Sequence, residues 1–232
     1  MPKASAVIIG NEILNGKVQD QNTQTLAKFL FDSGISLCLT ETIPDHIDTI
    51  AKTIQKHAAH FDFVFTSGGI GPTHDDLTYE AVAKAFGCPL KLHQNAKNRY
   101  RDITGRELTG ARLKMATLPD KAEVLWTENL WVPTVYIHPV YVLPGIPELF
   151  TAMLHSLKPR FDFPPFERQL LYTNQPEAEI AFKLEEVQKR FPEVEIGSYP
   201  QKMPDGFRVM ISIEGPKNNG VQQVAEEIRK FI

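Results

Sequence analysis

A glycine-rich stretch beside two aspartates is the part of this sequence best suited to chemistry. It reads TSGGIGPTHDD, from Thr66 to Asp76, and it follows the apolar run FDFVF. Glycines directly after a strand let the backbone approach a ligand without a side chain in the way. A following helix directs its free N–H groups and the positive end of its dipole to the same place. The stretch therefore predicts a binding site for an anion, most often a phosphate.

The spacing of this stretch excludes two standard phosphate motifs. A P-loop requires Gly-x4-Gly-Lys-Ser/Thr, and the dinucleotide fingerprint requires a glycine where this chain has His74. A plain turn, with Asp75 or Asp76 capping the next helix, is the simpler alternative because aspartate is a preferred N-cap. One cap does not account for a second aspartate, or for three glycines and a proline in five positions. We therefore favour a ligand site.

Three further loops follow apolar strands and carry acidic residues. They are Gly10-Asn11-Glu12, Pro44-Asp45 and Pro144-Gly145-Ile146-Pro147-Glu148. Ligands of open parallel sheets bind beside the carboxyl ends of the strands, so these loops and the glycine stretch are expected to surround one pocket. Each acid also has a local alternative: Glu12 and Glu148 as first-turn helix residues, Asp45 as an N-cap.

Convergent carboxylates would repel a bare phosphate, whereas a hard divalent cation binds carboxylate and phosphate oxygens together. We therefore expect a divalent cation, Mg²⁺, Mn²⁺ or Co²⁺, and no tightly bound organic cofactor. The predicted metal ligands are Asp76, Asp75, Asp45 and Glu12.

The elements that must position these residues form a regular pattern. ASAVIIG, ISLCLTETI and FDFVFTS are typical of strands, and each precedes a segment with helical spacing. YVLPGIPELFTAMLHSL repeats strand, turn and helix near the end of this region. The pattern predicts a three-layer α/β/α domain with a mostly parallel sheet, over residues 1–160.

A smaller α+β domain is predicted over residues 166–232, after a proline-rich linker at 159–165. Its pattern is β-α-β-β-α, with Pro204-Asp205-Gly206 as the hairpin turn. It shows no Gly-x-x-Gly clamp loop and no aromatic-basic face, so nucleic-acid binding is not predicted. A domain this small is expected to pack on the first domain or on another subunit. A homo-oligomer, dimer or trimer, is therefore expected.

Composition and net charge limit the partners and the cellular location that are expected of the protein. The formal net charge of −3 gives no electrostatic case for binding nucleic acid or an anionic membrane. The opening residues, MPKASAVIIGNEIL, contain an apolar run too short for a signal peptide or a membrane span. Cys38 and Cys88 lack metal-ligand spacing and are expected to be reduced, buried thiols. A cytoplasmic protein that binds a small phosphate-containing molecule is expected.

Four motifs in this order resemble the molybdopterin-binding domain family typified by MoaB and MogA. They are GNEILNG, IPD, TSGGIGPTHDDLTYEAVAKAFG and YVLPGIPELF, and they span residues 4–157. The likeness is greatest to the branch at the N-terminus of CinA and of the two-domain FAD synthases. The segment that follows is similar to the small domain next in CinA-like chains. The resemblance implies the three-layer fold, with its site at the sheet edge described above.

The resemblance also implies roles for individual residues. The aspartate after a proline at the end of the second strand is Asp45, and the aspartate that ends the glycine motif is Asp76. Both are expected to be catalytic. In CinA-like and FAD-synthase-attached members the family implies a metal-dependent pyrophosphatase acting on ADP-ribose or FAD. In such members Gly68, Gly69, Gly71 and Thr73 would hold the diphosphate. Lys114, chosen from the basic residues between Pro89 and Leu118, is expected to bind substrate as well, together with Asn11, Pro144 and Gly145.

Two other hypotheses stay open. The same edge could hold a pterin phosphate, in a binding or adenylyl-transfer role in molybdenum-cofactor biosynthesis. Alternatively, the site could be idle and the chain a scaffold that mainly oligomerises. One departure concerns NLWVPTVYIHP, residues 129–139, which stands where CinA-like members carry a GTAPG-type loop. The substrate pocket is expected to differ there.

Overall fold

The computed structural model describes residues 1–203, 206–217 and 220–232. The chain forms two compact units, one of residues 1–31 and 35–162 and the other of residues 32–34 and 163–232. Pro204 and Asp205 of the predicted hairpin turn lie outside the described residues. Within the described ranges, no helix is long and apolar enough to cross a membrane.

The first unit alternates strands and helices. Its strands are β1 (Lys3–Ile9), β2 (Ser36–Ile43), β3 (Phe63–Ser67), β4 (Leu90–Leu92), β5 (Thr117–Pro119), β6 (Glu123–Leu125), β7 (Thr134–Ile137) and β8 (Val140–Leu143). Its helices are α1 (Asn11–Leu14), α2 (Asn22–Phe31), α3 (Ile47–Ala58), α4 (Thr78–Ala85), α5 (Gln94–Thr104) and α6 (Pro147–Ser156). Short 3-10 helices lie at Gly110–Ala116 and Lys158–Arg160.

Six of these strands form one sheet, in the order β2-β1-β3-β8-β7-β6. β2, β1, β3 and β8 are parallel, whereas β7 runs antiparallel to its neighbours β8 and β6. Successive side chains of a strand point to opposite faces. Accordingly, Val7 packs with Ile50 and Ile54 of α3 on one face, and Ala6 packs with Leu26 of α2 on the other. The predicted three-layer, mostly parallel fold is confirmed.

Residues 89–140 had the least regular sequence pattern, and they hold α5, a 3-10 helix and the antiparallel pair of β4 and β5. A small core of Ala96, Tyr100, Leu108 and Ala116 joins α5 to the 3-10 helix. Helix α5 ends at Gly105, whose φ of 67° is left-handed, as expected of a glycine at a helix C-terminus.

The two cysteines differ from the expectation of buried thiols. Cys38 is exposed and Cys88 is only partly buried. Cys38 lies on β2, an edge strand, opposite a register shift between Ala4 and Ser5 of β1. A bulge on an edge strand turns a residue out of the ladder, and among the residues that the structure describes no further strand pairs with β2 on its outer side.

The second unit holds β9 (Phe166–Thr173), α7 (Glu177–Arg190), β10 (Glu195–Met203), β11 (Gly206–Pro216) and α8 (Val221–Arg229). Its strands form an antiparallel sheet in the order β10-β11-β9. Both helices pack on one face, where Ile180 of α7 and Val224 of α8 meet Ile211. The predicted small α+β region is confirmed.

The opposite face of this small sheet carries aromatic side chains. Tyr172, Met210 and Tyr199 form one cross-strand row, and the two tyrosines are about half exposed, at 54% and 51%. The row is aromatic but not basic, so the expectation that this unit lacks an aromatic-basic face stays a prediction. Strand alternation explains the arrangement, because the neighbouring Leu171 and Ile211 point into the core.

Candidate active site at the carboxyl edge of the sheet

The four predicted loops meet at one edge of the main sheet. The parallel strands β1, β2, β3 and β8 end there, at Ile9, Ile43, Ser67 and Leu143. Backbone hydrogen bonds continue from the strands into the loops, because Gly10 N–H donates to Ile43 O at 3.1 Å and Gly68 N–H donates to Leu143 O at 3.2 Å. Loops that are far apart in sequence thus share one small region.

The first glycine of the motif allows a close crossing of two loops. Gly68 has a φ of 108°, and a Cβ there would lie 2.2 Å from the carbonyl oxygen of Ile9. The Thr78 hydroxyl donates to Gly68 O at 2.8 Å, and Thr78 N–H donates to Gly69 O at 2.9 Å. Gly145 approaches from the other side, since its Cβ would lie 3.3 Å from Gly68 Cα. The glycines therefore bring the loops that follow β1, β3 and β8 into contact at the start of α4.

Asp76 folds back on its own turn and does not cap the helix. Its Oδ2 accepts hydrogen bonds from the N–H of Thr73, at 2.8 Å, and from the Thr73 hydroxyl. Helix α4 begins at Thr78 with Leu77 as its N-cap and with no side-chain cap hydrogen bond. Gly71 makes room for the carboxylate, because a Cβ there would lie 2.6 Å from Asp76 Oδ2. The simpler explanation of this aspartate as a helix cap is therefore excluded.

Asp75 stands beside the same turn and is exposed. Its hydrogen bond from the Thr73 hydroxyl, followed by its own backbone amide and the positive charges of His74 and Lys114, lowers the pKa of the Asp75 carboxyl. The His74 side chain is almost fully exposed and its Nδ1 lies 4.0 Å from Asp75 Oδ1. The His74 ring thus lies on the solvent side of the turn, next to Asp75.

Asp45 joins the loop after β2 to the loop after β1. Its Oδ2 accepts a hydrogen bond from Asn11 N–H at 2.8 Å. Burial is the main cause that raises the pKa of Asp45, and the negative charges of Glu12 and Asp75 raise it further against the lowering effect of the Asn11 hydrogen bond. Acids from three separate loops therefore act on one another electrostatically. His46, not Asp45, is the N-cap residue of α3.

The acids do not form a complete metal site by themselves. In the part of the chain that the structure describes, no group of three or more His, Cys, Asp or Glu residues is placed to hold a metal ion. Asp45 and Asp76 each direct Oδ2 to a backbone N–H. The four-carboxylate set Asp76, Asp75, Asp45 and Glu12 stays a prediction, and an ion held by fewer carboxylates would need further oxygen ligands from a bound molecule.

A cleft of about 590 Å³ opens beside the glycine loop. The cleft is lined by seven of the site residues that the sequence predicted: Glu12, Gly68, Gly69, Gly71, Asp76, Pro144 and Gly145. Five others, Asn11, Asp45, Thr73, Asp75 and Lys114, stand outside the lining. The lining also includes the apolar side chains of Met115, Leu130, Trp131 and Val132. The cleft thus offers acidic, glycine-rich and apolar surface together.

Lys114 is engaged with the protein instead of pointing into the cleft. Its Nζ donates to Thr73 O at 3.1 Å and lies 3.6 Å from Glu80 Oε1. This lysine therefore fixes the turn that carries Asp75 and Asp76.

Asn22 is a site residue that the sequence patterns did not reveal. It is 4% exposed, lines the cleft, and donates through Nδ2 to Ser67 Oγ at 2.8 Å and to Gly145 O at 2.9 Å. In sequence it follows Asp20, whose Oδ1 accepts from the N–H of Asn22 at 2.9 Å as at an ordinary helix start. That local pattern gives no sign that the amide ties α2 to the β3 and β8 loops.

Comparison with known proteins identifies the family. The model described as "Probable molybdopterin binding domain" matches residues 5–162. The chain belongs to the molybdopterin-binding domain family. A CinA-like protein of Escherichia coli is 31% identical over 98% of this chain and 59% of its own length. A protein of Archaeoglobus fulgidus is 30% identical over 97% of this chain and 96% of its own length.

Further comparisons concern the branch and the second unit. The model "FAD synthase, middle domain" matches residues 165–232. A "Probable FAD synthase" of Caenorhabditis elegans is 31% identical over 99% of this chain, which spans 50% of that protein. The crystal structure of CinA from Thermoplasma acidophilum, a protein of unknown function, aligns with a TM-score of 0.64 at 30% identity, over 69% of this chain and 98% of that one. The first unit is thus a molybdopterin-binding domain of the CinA-like branch.

Proposed function

We propose that this molybdopterin-binding domain hydrolyses the diphosphate bridge of an ADP-ribose-like or FAD-like dinucleotide. The observation that carries the proposal is the placement of Asp45 and Asp76 in neighbouring loops, each oriented by a backbone N–H at 2.8 Å, beside a glycine loop and a cleft. Such fixed carboxylates at the carboxyl edge of a parallel sheet suit a reaction at a phosphate. The "FAD synthase" and "CinA-like" names of the relatives support the same class of ligand.

The reaction adds water across the diphosphate. The oxygen of water bonds to one phosphorus, the P–O bond of the bridge breaks, and the two products are phosphate monoesters such as AMP. Asp45 is suited to accept the proton from water, because its raised pKa makes it a stronger base than an ordinary aspartate. The second oxygen of Asp76 stays available, since the Thr73 contacts use Oδ2.

We regard the divalent ion as part of the substrate, a metal–dinucleotide complex. Mg²⁺-like ions commonly bind through one or two carboxylates plus substrate phosphates. This mode is consistent with acids that form no complete ion site within the described residues. Asp76 and Glu12 line the cleft and are the side chains that would meet such a complex.

The test is to incubate the protein with ADP-ribose or FAD and Mg²⁺, Mn²⁺ or Co²⁺, and to measure the release of AMP by chromatography. Asp45→Asn and Asp76→Asn are expected to lower kcat by at least about a hundredfold, the usual contribution of a positioned acid–base group. Asp62→Asn is the matched control, because Asp62 also accepts a backbone N–H, from Lys3 at 2.8 Å, at the opposite edge of the sheet. No AMP release above the Asp76→Ala background would disprove the proposal.

A pterin-phosphate ligand is the second candidate, and the family description favours it. In that case the same edge would hold a terminal phosphate and the cleft would hold the pterin ring. Titration calorimetry with molybdopterin and with its adenylylated form separates the two functions. Tight binding of the unadenylylated pterin, without hydrolysis of any dinucleotide, would favour the binding role.

A further inference from the structure

The cleft lining includes a set of apolar side chains, which we call the apolar wall: Met115, Leu130, Trp131 and Val132. Phosphate oxygens gain nothing from contact with such side chains, whereas a flat ring buries apolar surface against them. The wall therefore indicates that the ligand carries a ring system as well as phosphates.

Trp131 is the aromatic residue of this wall, and its neighbours hold it. The ring of Tyr100, on α5, meets the Trp131 indole edge-on, with centroids 4.8 Å apart and planes at 81°. Trp131 also packs against the main core and against the small core around α5. It stays partly exposed while lining the cleft. A fixed, partly exposed indole is a suitable surface for stacking a heteroaromatic ring.

Arg99 fixes the loop that carries Trp131. Its Nε donates to Leu130 O at 2.6 Å and its Nη2 donates to Thr127 O at 2.8 Å. The guanidinium also lies over the Trp126 ring, 5.1 Å from the centroid. Asn129, between the two accepting carbonyls, has a φ of 61°, an unusual backbone conformation for a non-glycine residue. The loop backbone is therefore held by α5 in a shape that it would not favour alone.

We propose that Trp131 is a specificity-determining residue that packs against the heteroaromatic ring of the ligand, and that Arg99 is its positioning residue. The proposal rests on the proposed function for the ligand class, a ring-bearing phosphate ester or diphosphate. It goes beyond that function because it assigns the selectivity of the site to the ring end of the ligand. Ligands with a ring should bind more tightly than ligands with the same phosphate and no ring.

The first experiment measures binding without turnover. Trp126 and Trp131 are the two tryptophans of the chain. In a Trp126→Phe background, tryptophan emission therefore reports on Trp131. AMP should change this emission with saturation, and ribose 5-phosphate should not. An equal response to both compounds, or a response to neither, would overturn the proposal.

The second experiment measures affinity by titration calorimetry. Trp131→Ala should weaken AMP binding about tenfold, the scale of one stacking contact, and leave ribose 5-phosphate binding unchanged. Arg99→Met should weaken AMP binding similarly and shift the Trp131 emission in the absence of ligand. Arg101→Met is the matched control on the same helix, because Arg101 forms ion pairs with Asp102 and Glu107 on the protein surface, at 3.8 Å in each case.

The outcomes separate this inference from the proposed function. Ring-selective binding without AMP release from any dinucleotide would retain the Trp131 assignment and remove the hydrolase. Hydrolysis with equal affinity for AMP and ribose 5-phosphate would retain the hydrolase and remove the Trp131 assignment. Unchanged AMP affinity in both Trp131→Ala and Arg99→Met would also remove the assignment.

Discussion

Asp45 accepts a hydrogen bond from the backbone N–H of Asn11 across two neighbouring loops, with 2.8 Å between Oδ2 and N. The contact fixes a carboxylate at the end of β2 against the first turn after β1. It also places that carboxylate in the field of Glu12 and Asp75, which together with burial raises the pKa of Asp45. Ionisation of a carboxyl group held in this way lowers the free energy of unfolding. The same raised pKa makes the Asp45 carboxylate a stronger base.

The pH dependence of stability is expected to show this cost. A carboxyl whose pKa is raised on folding keeps its proton longer in the folded state, so stability falls as pH rises from about 3.9, the ordinary aspartate value, through the folded pKa. Asp45→Asn should therefore raise Tm at pH 7, and the difference should vanish near about pH 3, where both states are protonated. Calorimetric melting at several pH values checks this, with Asp62→Asn as control. A lower Tm for Asp45→Asn at pH 7 would contradict it.

Gly68 should tolerate no side chain. Gly68→Ala would place Cβ 2.2 Å from Ile9 O in addition to straining a φ of 108°. Gly87→Ala is the matched control, because Gly87 has a φ of 58° with no atom within 4 Å of the added Cβ. Strain alone costs about 1–3 kcal/mol, so Gly68→Ala should lose clearly more free energy of unfolding than Gly87→Ala. Equal losses of unfolding free energy for the two variants, measured by urea denaturation, would show that Gly68 does not approach Ile9 as closely as in the structure.

Thr78 and Thr66 form a second matched pair. The Thr78 hydroxyl donates to Gly68 O at 2.8 Å in a buried setting. The hydroxyl of Thr66 is also buried, and no described residue hydrogen-bonds to it. Thr78→Val should cost about 1–3 kcal/mol of unfolding free energy by leaving a buried carbonyl unsatisfied, and Thr66→Val should be neutral or stabilising. Chemical denaturation of both variants measures the difference, and the opposite ranking would refute it.

Lys114 should affect turnover more than substrate affinity. Its ammonium holds Thr73 O at 3.1 Å and Glu80 at 3.6 Å, and it is not part of the cleft lining. Lys114→Met should loosen the turn that carries Asp75 and Asp76 and lower kcat about tenfold, the scale of one hydrogen bond from a charged group. Lys121→Met, which removes a comparable contact to Phe86 O at 3.2 Å, is the control. A rise in KM with unchanged kcat would instead indicate direct contact with substrate.

Periodicity and motif order in the sequence determined the fold and the location of the site. Alternating strand and helix signals predict a parallel sheet, and parallel strands must end at the same edge. The loops with Glu12, Asp45, Asp76 and Gly145 are therefore neighbours whatever their separation along the chain. This follows from local backbone preferences and burial, which a sequence expresses residue by residue.

Only the tertiary structure decided which groups face the cleft. Asp45 and Asp76 turn Oδ2 to backbone N–H groups, and within the described residues no group of three or more candidate ligands is placed to hold an ion. Asn22 enters the site through contacts 45 and 123 residues away, and Trp131 enters through a loop held by Arg99. Such contacts depend on how separate elements pack, and no periodic pattern records them. The exposure of Cys38 has the same origin, since a strand becomes an edge only when the whole sheet is assembled.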